Sequence, residues 1–255
     1  MKNIDLSEKY DDIYKKGASS FFTYKPITDY LAILEMEPQW QGLEVLEIGC
    51  GKGELAAMMH FAGCRKVDAI DFSKEAISLA RKKFNIDGLT FIEGDYRSLE
   101  GRYDLVVMNG VLEHFDHPFE ELSGIIDRYL KPDGAVITSS PSFLNPRGYV
   151  WMTLQLLFDV PMSLTDLHFL CPFDFEEFAE KKGLKLTLKS TNQQWGSGAM
   201  TIADFDKRLR NALRDAGMPT QGVDRFLDWL QKAVRYHCSS EYTGAVVIYR
   251  LDLQP

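Results

Sequence analysis

The sequence predicts an α/β protein with a mostly parallel sheet, and two observations carry this prediction. Val45, Leu46 and Ile48 form a short apolar run, typical of a buried parallel strand, that continues through a glycine-containing loop into a helix. The same order recurs at 66–84, where an apolar strand precedes a segment with helical spacing. A chain of 255 residues is long enough for one large α/β domain with an added cap, and too short for two enzymatic domains.

The loop after the first strand carries Gly49, Gly51 and Gly53. Glycine suits a sharp turn and a close approach of backbone N–H groups to a ligand, because a Cβ atom would block both. A dinucleotide loop would read Gly-x-Gly-x-x-Gly, and here Glu54 would oppose a phosphate. Glu47, within the strand, favours a ligand that carries positive charge. The alternative is that Glu47 caps backbone N–H groups while the glycines only turn the chain.

Residues 45–53, Val-Leu-Glu-Ile-Gly-Cys-Gly-Lys-Gly, resemble the first motif of class I S-adenosylmethionine-dependent methyltransferases of the small-molecule type. The resemblance implies a Rossmann-like, seven-stranded, mostly parallel sheet with helices on both faces and a reversed last strand. A helical substrate cap is expected in addition, from segments that exceed the minimal fold and depart from the short turn common between the last two strands of the family. The resemblance also implies that S-adenosyl-L-methionine lies across the carboxyl ends of the strands and leaves as S-adenosyl-L-homocysteine. The glycine loop, including Cys50, would hold the methionine part.

The second and third strands end in acidic residues. Asp71 follows Gly51 by 20 residues, where one carboxylate can hold both hydroxyls of a ribose, although it could also be a helix N-cap. Phe72 could then lie against adenine. The resemblance assigns the adenine amino group to Asp95, with Tyr96 flanking the ring, although a Gly-Asp pair after a strand is most often a turn.

The fourth strand is predicted at 103–110. The loop that follows this strand is the predicted centre of the chemistry, because ligands of open α/β sheets bind beyond the carboxyl ends of the strands. It resembles the corresponding motif of small-molecule methyltransferases. That resemblance implies that backbone near Asn109 and Gly110 meets the amino group of the cofactor, and that His114 points toward the methyl acceptor.

Methyl transfer is an in-line displacement, so the protein mainly aligns donor and acceptor and excludes water. A hydroxyl acceptor benefits from a general base, for which histidine is the natural residue. His114 is the first candidate and His168 the second, whereas His117 precedes a proline and is expected to begin a helix. Residues 166–170 resemble a stretch of quinone-pathway O-methyltransferases, which favours an O-methyltransferase over N- or C-methylation. A structural, hydrogen-bonded role remains the alternative for both candidate histidines.

Further signals complete the predicted core. Pro132 and Gly134 indicate a turn before a fifth strand, and Gly183 indicates the end of a helix that a capping box at 174–177 would open. Alternating and apolar residues predict the last strands at 135–140, 184–189 and 245–249.

Three segments fall outside the minimal fold. The predicted organisation is an N-terminal helical lid at 1–40, a core at 41–190 and 244–255 with a cap insertion at 141–172, and a helical cap insertion at 191–243. The resemblance covers the lid at 10–17, where Tyr14 is the candidate contact for the carboxylate of the cofactor; packing on the core would explain the same tyrosines. In the cap, one helix face is apolar and could instead form a homodimer surface: Val223, Phe226, Leu227, Leu230 and Val234.

The composition of the chain limits which kinds of ligand and partner are expected. The net charge is −8 and the cations are scattered, so a small-molecule acceptor is expected and nucleic acid is not. The start of the chain lacks an apolar signal core, and the longest apolar stretch is too short for a membrane span, which predicts a cytoplasmic protein. The four cysteines lack zinc or disulfide spacing, and no metal is expected. Three classes compete: an NAD-dependent oxidoreductase, a nucleic-acid or protein methyltransferase, and a noncatalytic cofactor-binding protein. The second would need an Asn/Asp-Pro-Pro-Tyr motif or a basic stripe, and the sequence has neither.

Overall fold

The computed structural model describes residues 10–14, 27–160, 166–191, 199–233 and 246–253. A short helical segment at 10–14 precedes the main elements. The strands are β1 Glu44–Ile48, β2 Lys66–Asp71, β3 Leu89–Glu93, β4 Tyr103–Asn109, β5 Leu130–Pro141, β6 Lys185–Thr191 and β7 Val246–Asp252. The helices are α1 Ile27–Glu35, α2 Glu54–Phe61, α3 Lys74–Lys83, α4 Pro118–Tyr129, α5 Pro146–Phe158, α6 Pro172–Lys182, α7 Ala199–Asp215 and α8 Val223–Ala233.

The strands form one seven-stranded sheet in the order β3-β2-β1-β4-β5-β7-β6. Strands β1 to β5 are parallel to their neighbours, whereas β7 runs antiparallel to both β5 and β6. The predicted mostly parallel sheet with a reversed last strand is therefore confirmed. The carboxyl ends of β1, β2 and β4 meet at one edge, where the loops with the predicted site residues begin.

Helices cover both faces of the sheet because successive strand residues point to opposite sides. In β1, Val45 belongs to a core cluster that contains Ile33 of α1 and Ile77 of α3. The next residue, Leu46, belongs to the cluster on the opposite face, with Phe175 of α6. The first of these helices, α1, lies within the predicted lid at 1–40 and is packed into the core. The rest of that lid, apart from 10–14 and 36–40, lies outside the described residues.

A third apolar cluster joins α5, α7 and α8 away from the two sheet faces, with Trp151, Phe205 and Leu227 as members. An ion pair is buried within it, where Arg147 Nε donates to Asp204 Oδ2 at 2.8 Å. Trp151 Nε1 donates to the same oxygen at 3.2 Å. These helices come from the two predicted cap insertions, so the insertions pack on each other. Val234 of the predicted apolar face lies outside the described residues.

Two local predictions were wrong. The turn predicted around Pro132 and Gly134 is an irregular part of β5, where the pairing with β4 shifts between Tyr103 and Leu105. The capping residue of α6 is Cys171, and Asp174 is the third residue of the helix, whose Oδ2 accepts from the Cys171 N–H at 2.7 Å. The helix ends at Gly183 as predicted. None of the described helices combines the length and the apolar composition needed to cross a bilayer.

Candidate functional site

The glycine loop folds into a cradle at the end of β1. Gly49, Gly51 and Gly53 all have positive φ angles, of 76°, 51° and 78°, which L residues with side chains rarely adopt. The N–H of Gly49 donates to the carbonyl of Ile70 at 2.8 Å, which ties the loop to β2. A Cβ atom at Gly51 would lie 2.7 Å from the hydroxyl oxygen of Tyr14. The loop therefore presents backbone to its surroundings at the point that the helical segment 10–14 covers.

Asp71 locks this cradle from the end of β2. Its Oδ2 accepts the N–H of Gly51 at 2.8 Å and its Oδ1 accepts the N–H of Ser73 at 2.8 Å. Burial raises the pKa of the carboxyl, and these two hydrogen bonds oppose the rise. Ser73, not Asp71, caps α3, because its Oγ accepts the N–H of Ala76. Each carboxylate oxygen keeps a second lone pair, so a ribose hydroxyl can still donate to Asp71.

Three predicted residues surround the cradle. Glu47 is 2% exposed, and burial raises its pKa well above the ordinary value, with Asp71 adding to the effect. Within the described residues, Glu47 Oε2 is buried and has no hydrogen-bond partner. Burial also raises the pKa of the Cys50 thiol, and that of the Tyr14 hydroxyl. A buried carboxyl oxygen without a partner, beside a loop of glycine backbone, fits the cationic amino group of S-adenosylmethionine.

The residues predicted to hold adenine separate into two groups. Phe72 is 42% exposed beside the loop, and Tyr10 packs edge-on against it. Asp95 accepts the N–H of Arg97 at 2.9 Å at the start of a turn. The Tyr96 ring is instead buried, where it packs against Phe115, and its hydroxyl donates to Glu121. The structure therefore leaves Phe72 and Asp95 accessible at this edge, whereas the contacts of Tyr96 are with the core.

The loop after β4 is held against β5. Ser139 Oγ donates to Asn109 Oδ1 at 2.7 Å, and the Gly110 N–H donates to the Ser139 carbonyl at 3.1 Å. A turn at Leu112–His114 follows, and His117 precedes the first residue of α4 as predicted. This arrangement fixes the turn that presents His114.

His114 contacts polar groups through both ring nitrogens. Its Nε2 lies 3.0 Å from the hydroxyl oxygen of Tyr10, and its Nδ1 lies 3.6 Å from Asp166 Oδ1. The Asp166 carboxylate favours the tautomer with the proton on Nδ1, which leaves Nε2 as the acceptor. His168, the second candidate base, has its Nε2 3.1 Å from the backbone carbonyl of Asp116. The structure thus brings His114, but not the ring of His168, to the segment that covers the glycine loop.

Sequence reasoning missed three members of this site. Tyr10 and Asp166 approach His114 only through tertiary contacts, and Glu113 lies buried in the same turn at 3% exposure. Burial raises the pKa of Glu113 to about 7. In the sequence, Glu113 is only an acidic residue between Leu112 and His114, and no motif shows that its side chain is buried instead of exposed in the loop.

Together, the reversed β7, the glycine cradle and the acid at the end of β2 define a Rossmann-like cofactor-binding protein. The family described as "Methyltransferase domain" matches residues 23–189, and the chain belongs to it. The chain is therefore a class I S-adenosylmethionine-dependent methyltransferase by family, and S-adenosylmethionine is the cofactor of that class.

Two similar proteins are named as O-methyltransferases of different compounds. A malonyl-[acyl-carrier protein] O-methyltransferase from Priestia megaterium is 33% identical over 39% of this chain and 37% of its own length. A ubiquinone biosynthesis O-methyltransferase from Actinobacillus pleuropneumoniae is 29% identical over 55% of this chain and 66% of its own. The chain thus spans less than two thirds of these proteins.

Solved structures share the fold. A methyltransferase from Thermotoga maritima matches with a TM-score of 0.61 at 14% identity, over 96% of this chain and 98% of that one. One from Mesorhizobium loti matches with a TM-score of 0.56 at 15% identity, over 89% and 98%.

Proposed function

We propose that this protein transfers the methyl group of S-adenosylmethionine to a hydroxyl oxygen of a small molecule, with His114 as the general base. The observation that carries the proposal is the contact between His114 Nε2 and the Tyr10 hydroxyl at 3.0 Å. A hydroxyl oxygen fits at hydrogen-bonding distance from Nε2, which is the accepting ring nitrogen in the tautomer that the Asp166 carboxylate favours. An acceptor hydroxyl would take the place of the Tyr10 hydroxyl.

The cofactor, when bound, supplies a methyl group activated on a sulfonium. The residues proposed to hold its methionine part are Glu47, Gly49, Cys50, Gly51, Gly53 and Tyr14, with backbone at Asn109 and Gly110. Asp71 would accept the ribose hydroxyls, while Phe72 and Asp95 would contact adenine. The proposed role of Tyr96 is to support that side of the site through its buried ring.

The protein's own contribution to the reaction is alignment and proton removal. His114 Nε2 takes the hydroxyl proton while the new O–C bond forms and the C–S bond breaks. Asp166 stabilises the resulting imidazolium and keeps the ring oriented, because opposite charges at this distance attract. His168 would support the loop instead of acting as a base, since its ring is engaged with the Asp116 carbonyl.

The choice of oxygen and of a small molecule has separate support. The Priestia and Actinobacillus relatives are both named as O-methyltransferases. The net charge of −8 disfavours nucleic acid as the acceptor. The apolar face of α8 was the alternative homodimer surface, but Val223, Leu227 and Leu230 on it are buried in the third cluster, so this face packs inside the protein and does not support a homodimer.

The test is an acceptor screen with labelled S-adenosylmethionine on phenols, alcohols and amines, comparing the wild type with His114→Ala. We expect methylation of a hydroxyl compound and a loss of about 100-fold or more in kcat for the variant, because general base catalysis contributes on that order. Cofactor affinity, measured by calorimetry, should be unchanged. Methylation confined to amines, or a variant with the wild-type rate, would contradict the proposal.

Two further variants make this test specific. His60→Ala removes a histidine at the end of α2 and should leave the rate unchanged. Tyr10→Phe removes the hydroxyl that now contacts His114 and should also retain kcat, because the acceptor replaces that hydroxyl. Asp71→Ala should lose S-adenosylmethionine binding, while binding of NAD(H) alone by the wild type would return the chain to the oxidoreductases.

A further inference from the structure

The hydroxyl that contacts the proposed base belongs to a phenol ring of the chain itself. Tyr10 is half-buried in the segment 10–14, and its hydroxyl oxygen lies 3.0 Å from Nε2 of His114. The proposed mechanism places the hydroxyl of the acceptor at this same point. The surroundings of the Tyr10 ring therefore describe the space into which the rest of an acceptor molecule has to fit.

Aromatic rings surround the Tyr10 ring. The ring of Phe72 lies edge-on to it, with centroids 5.9 Å apart and an interplanar angle of 72°, and the imidazole of His114 does the same at 6.0 Å and 69°. The Tyr14 ring lies 6.4 Å away at 36°. Edge-to-face contacts at these distances are favourable between flat rings, because the positive edge of one ring meets the negative face of the other. A saturated ring of the same size has no π face and gains less from these surroundings.

Two contacts of Asp11 hold Tyr10 in this place. Its Oδ1 accepts the hydroxyl of Ser73 and, at 3.3 Å, the N–H of Glu75 in the first turn of α3. Ser73 is fully buried, and its own N–H donates to the carboxylate at the end of β2. The position of the Tyr10 ring against His114 is consequently fixed by the same elements that form the glycine cradle.

The acidity of the hydroxyl favours the same class of acceptor. A phenol such as the tyrosine side chain has a pKa of about 10, whereas an aliphatic hydroxyl is about as weak an acid as water, whose pKa is about 16. General base catalysis follows the driving force for proton transfer, and histidine is a weak base. Removal of a proton from a phenol therefore costs a histidine much less than removal from an alcohol.

We infer that the methyl acceptor is a phenol, whose ring takes the place of the Tyr10 side chain beside Phe72 and His114. This inference deepens the proposed O-methyltransferase function and rests on it. The phenol oxygen bonds to the methyl carbon while the C–S bond breaks, and the electron pair of that bond stays on sulfur. The phenol proton goes to Nε2 of His114 and from there to solvent. The products are an aryl methyl ether and S-adenosylhomocysteine.

The experiment uses p-cresol, which is the tyrosine side chain detached from its backbone. Calorimetry measures its binding to the wild type, Tyr10→Ala and the control Tyr149→Ala, all saturated with S-adenosylhomocysteine. We expect Tyr10→Ala to bind p-cresol about tenfold or more tightly than the wild type, because a site that Tyr10 fills for about nine-tenths of the time loses that factor in apparent affinity. Tyr149 is an exposed tyrosine of α5, so Tyr149→Ala should match the wild type. The saturated analogue methylcyclohexanol should bind Tyr10→Ala about tenfold more weakly than p-cresol.

Turnover with S-adenosylmethionine then tests the role of the phenol as acceptor. The methyl ether of p-cresol should form, and the KM for p-cresol should be lower for Tyr10→Ala than for the wild type. If Tyr10→Ala does not fold, Asp11→Ala replaces it, because loss of the carboxylate releases the segment 10–14 from α3 and should also lower this KM.

Equal binding of p-cresol to Tyr10→Ala and the wild type, or equal binding of p-cresol and methylcyclohexanol to Tyr10→Ala, would overturn the inference. An unchanged KM in Asp11→Ala has the same meaning where that variant is the one used. Methylation of alcohols alone would leave the proposed function standing and overturn the assignment of a phenol. Tight binding of p-cresol without its methylation would refute the proposed function, and with it the role of the phenol as acceptor.

Discussion

Gly51 and Tyr14 leave no room for a methyl group between them. A Cβ atom at Gly51 would approach the Tyr14 hydroxyl to 2.7 Å, and the φ angle of 51° already disfavours a side chain. The glycine loop and the helical segment 10–14 over it are therefore in close contact, with no space for an added side chain.

Gly51→Ala should reduce both stability and cofactor affinity. The left-handed backbone predicts a loss of about 1–2 kcal/mol in the free energy of unfolding. Displacement of Tyr14 should weaken S-adenosylmethionine binding about tenfold or more, or about 1.4 kcal/mol. Urea denaturation and calorimetric titration measure the two effects.

Gly183→Ala is the matched control, because Gly183 has a φ angle of 64° and a Cβ there would meet no atom within 4 Å. It should show a similar loss of stability with unchanged affinity. Equal cofactor affinity in both variants would show that contact with Tyr14 is not important for binding.

Among single residues, the sequence predicted contacts that follow from local spacing and missed contacts that depend on the tertiary fold. Gly51 and Asp71 were predicted together from their spacing, and a hydrogen bond of 2.8 Å joins them. The contact between Tyr10 and His114 spans 104 positions of the chain, so only the tertiary fold brings it about. Glu113 was overlooked because burial of a loop acid depends on β5 and on the segment at 166–168.

Among the elements, α5 and α7 depend on an ion pair inside an apolar cluster. The side chains of Arg147 and Asp204 are 7% and 1% exposed, and Asp204 Oδ1 also lies 3.4 Å from Arg208 Nε. A buried pair of this kind is strongly destabilised when one partner is removed, because the remaining charge stays in a medium of low polarity.

Arg147→Met should therefore destabilise the packing of α5 on α7 by about 3–5 kcal/mol in the free energy of unfolding. The double variant with Asp204→Leu should recover part of this loss, since no charge remains buried. Chemical denaturation and hydrogen exchange in α7 report the change. As a control, Lys181→Ala breaks an exposed pair with Glu177 and should have no measurable effect. Equal stability of Arg147→Met and the wild type would contradict the expectation.

The start of α6 and the shape of β5 show why element boundaries were the harder part. Cysteine is not a favoured capping residue, so the sequence directed attention to Asp174 instead of Cys171. In β5, Asp133 adopts a φ angle of 63° within a strand that continues on both sides. Pairing with β4 determines that shape, and local turn signals do not reveal it.

For the whole molecule, buried acids make stability depend on pH. An unfolded glutamate releases its proton near pH 4.3, whereas folded Glu113 holds it to about pH 7. Between these values the folded state binds more protons, so stability falls as pH rises. Burial raises the pKa values of Glu47 and Asp71 as well, which acts in the same direction.

Thermal and urea unfolding between about pH 5 and 8 should therefore show decreasing stability, with Glu113 contributing about 3 kcal/mol. Glu113→Gln should lose that part of the decrease. Glu44 and Asp104 act oppositely. Lys131 lowers the pKa of Glu44, while the pKa of Asp104 is lowered, against the effect of burial, by the Glu44 N–H and by Lys131, so their stabilisation is present above about pH 4 and lost below it. Identical slopes for wild type and variant in the neutral range would contradict this prediction.

The pairing of β6 with β7 has an evolutionary consequence. Thr191, the last residue of β6, lies opposite Val246, the first residue of β7. The connecting segment that contains α7 and α8 thus begins and ends at adjacent positions of the sheet. A short hairpin turn could join the same two strands without altering any strand register. The segment between β6 and β7 can therefore differ in length and sequence within a lineage without any change in the sheet or in the glycine loop at its other end.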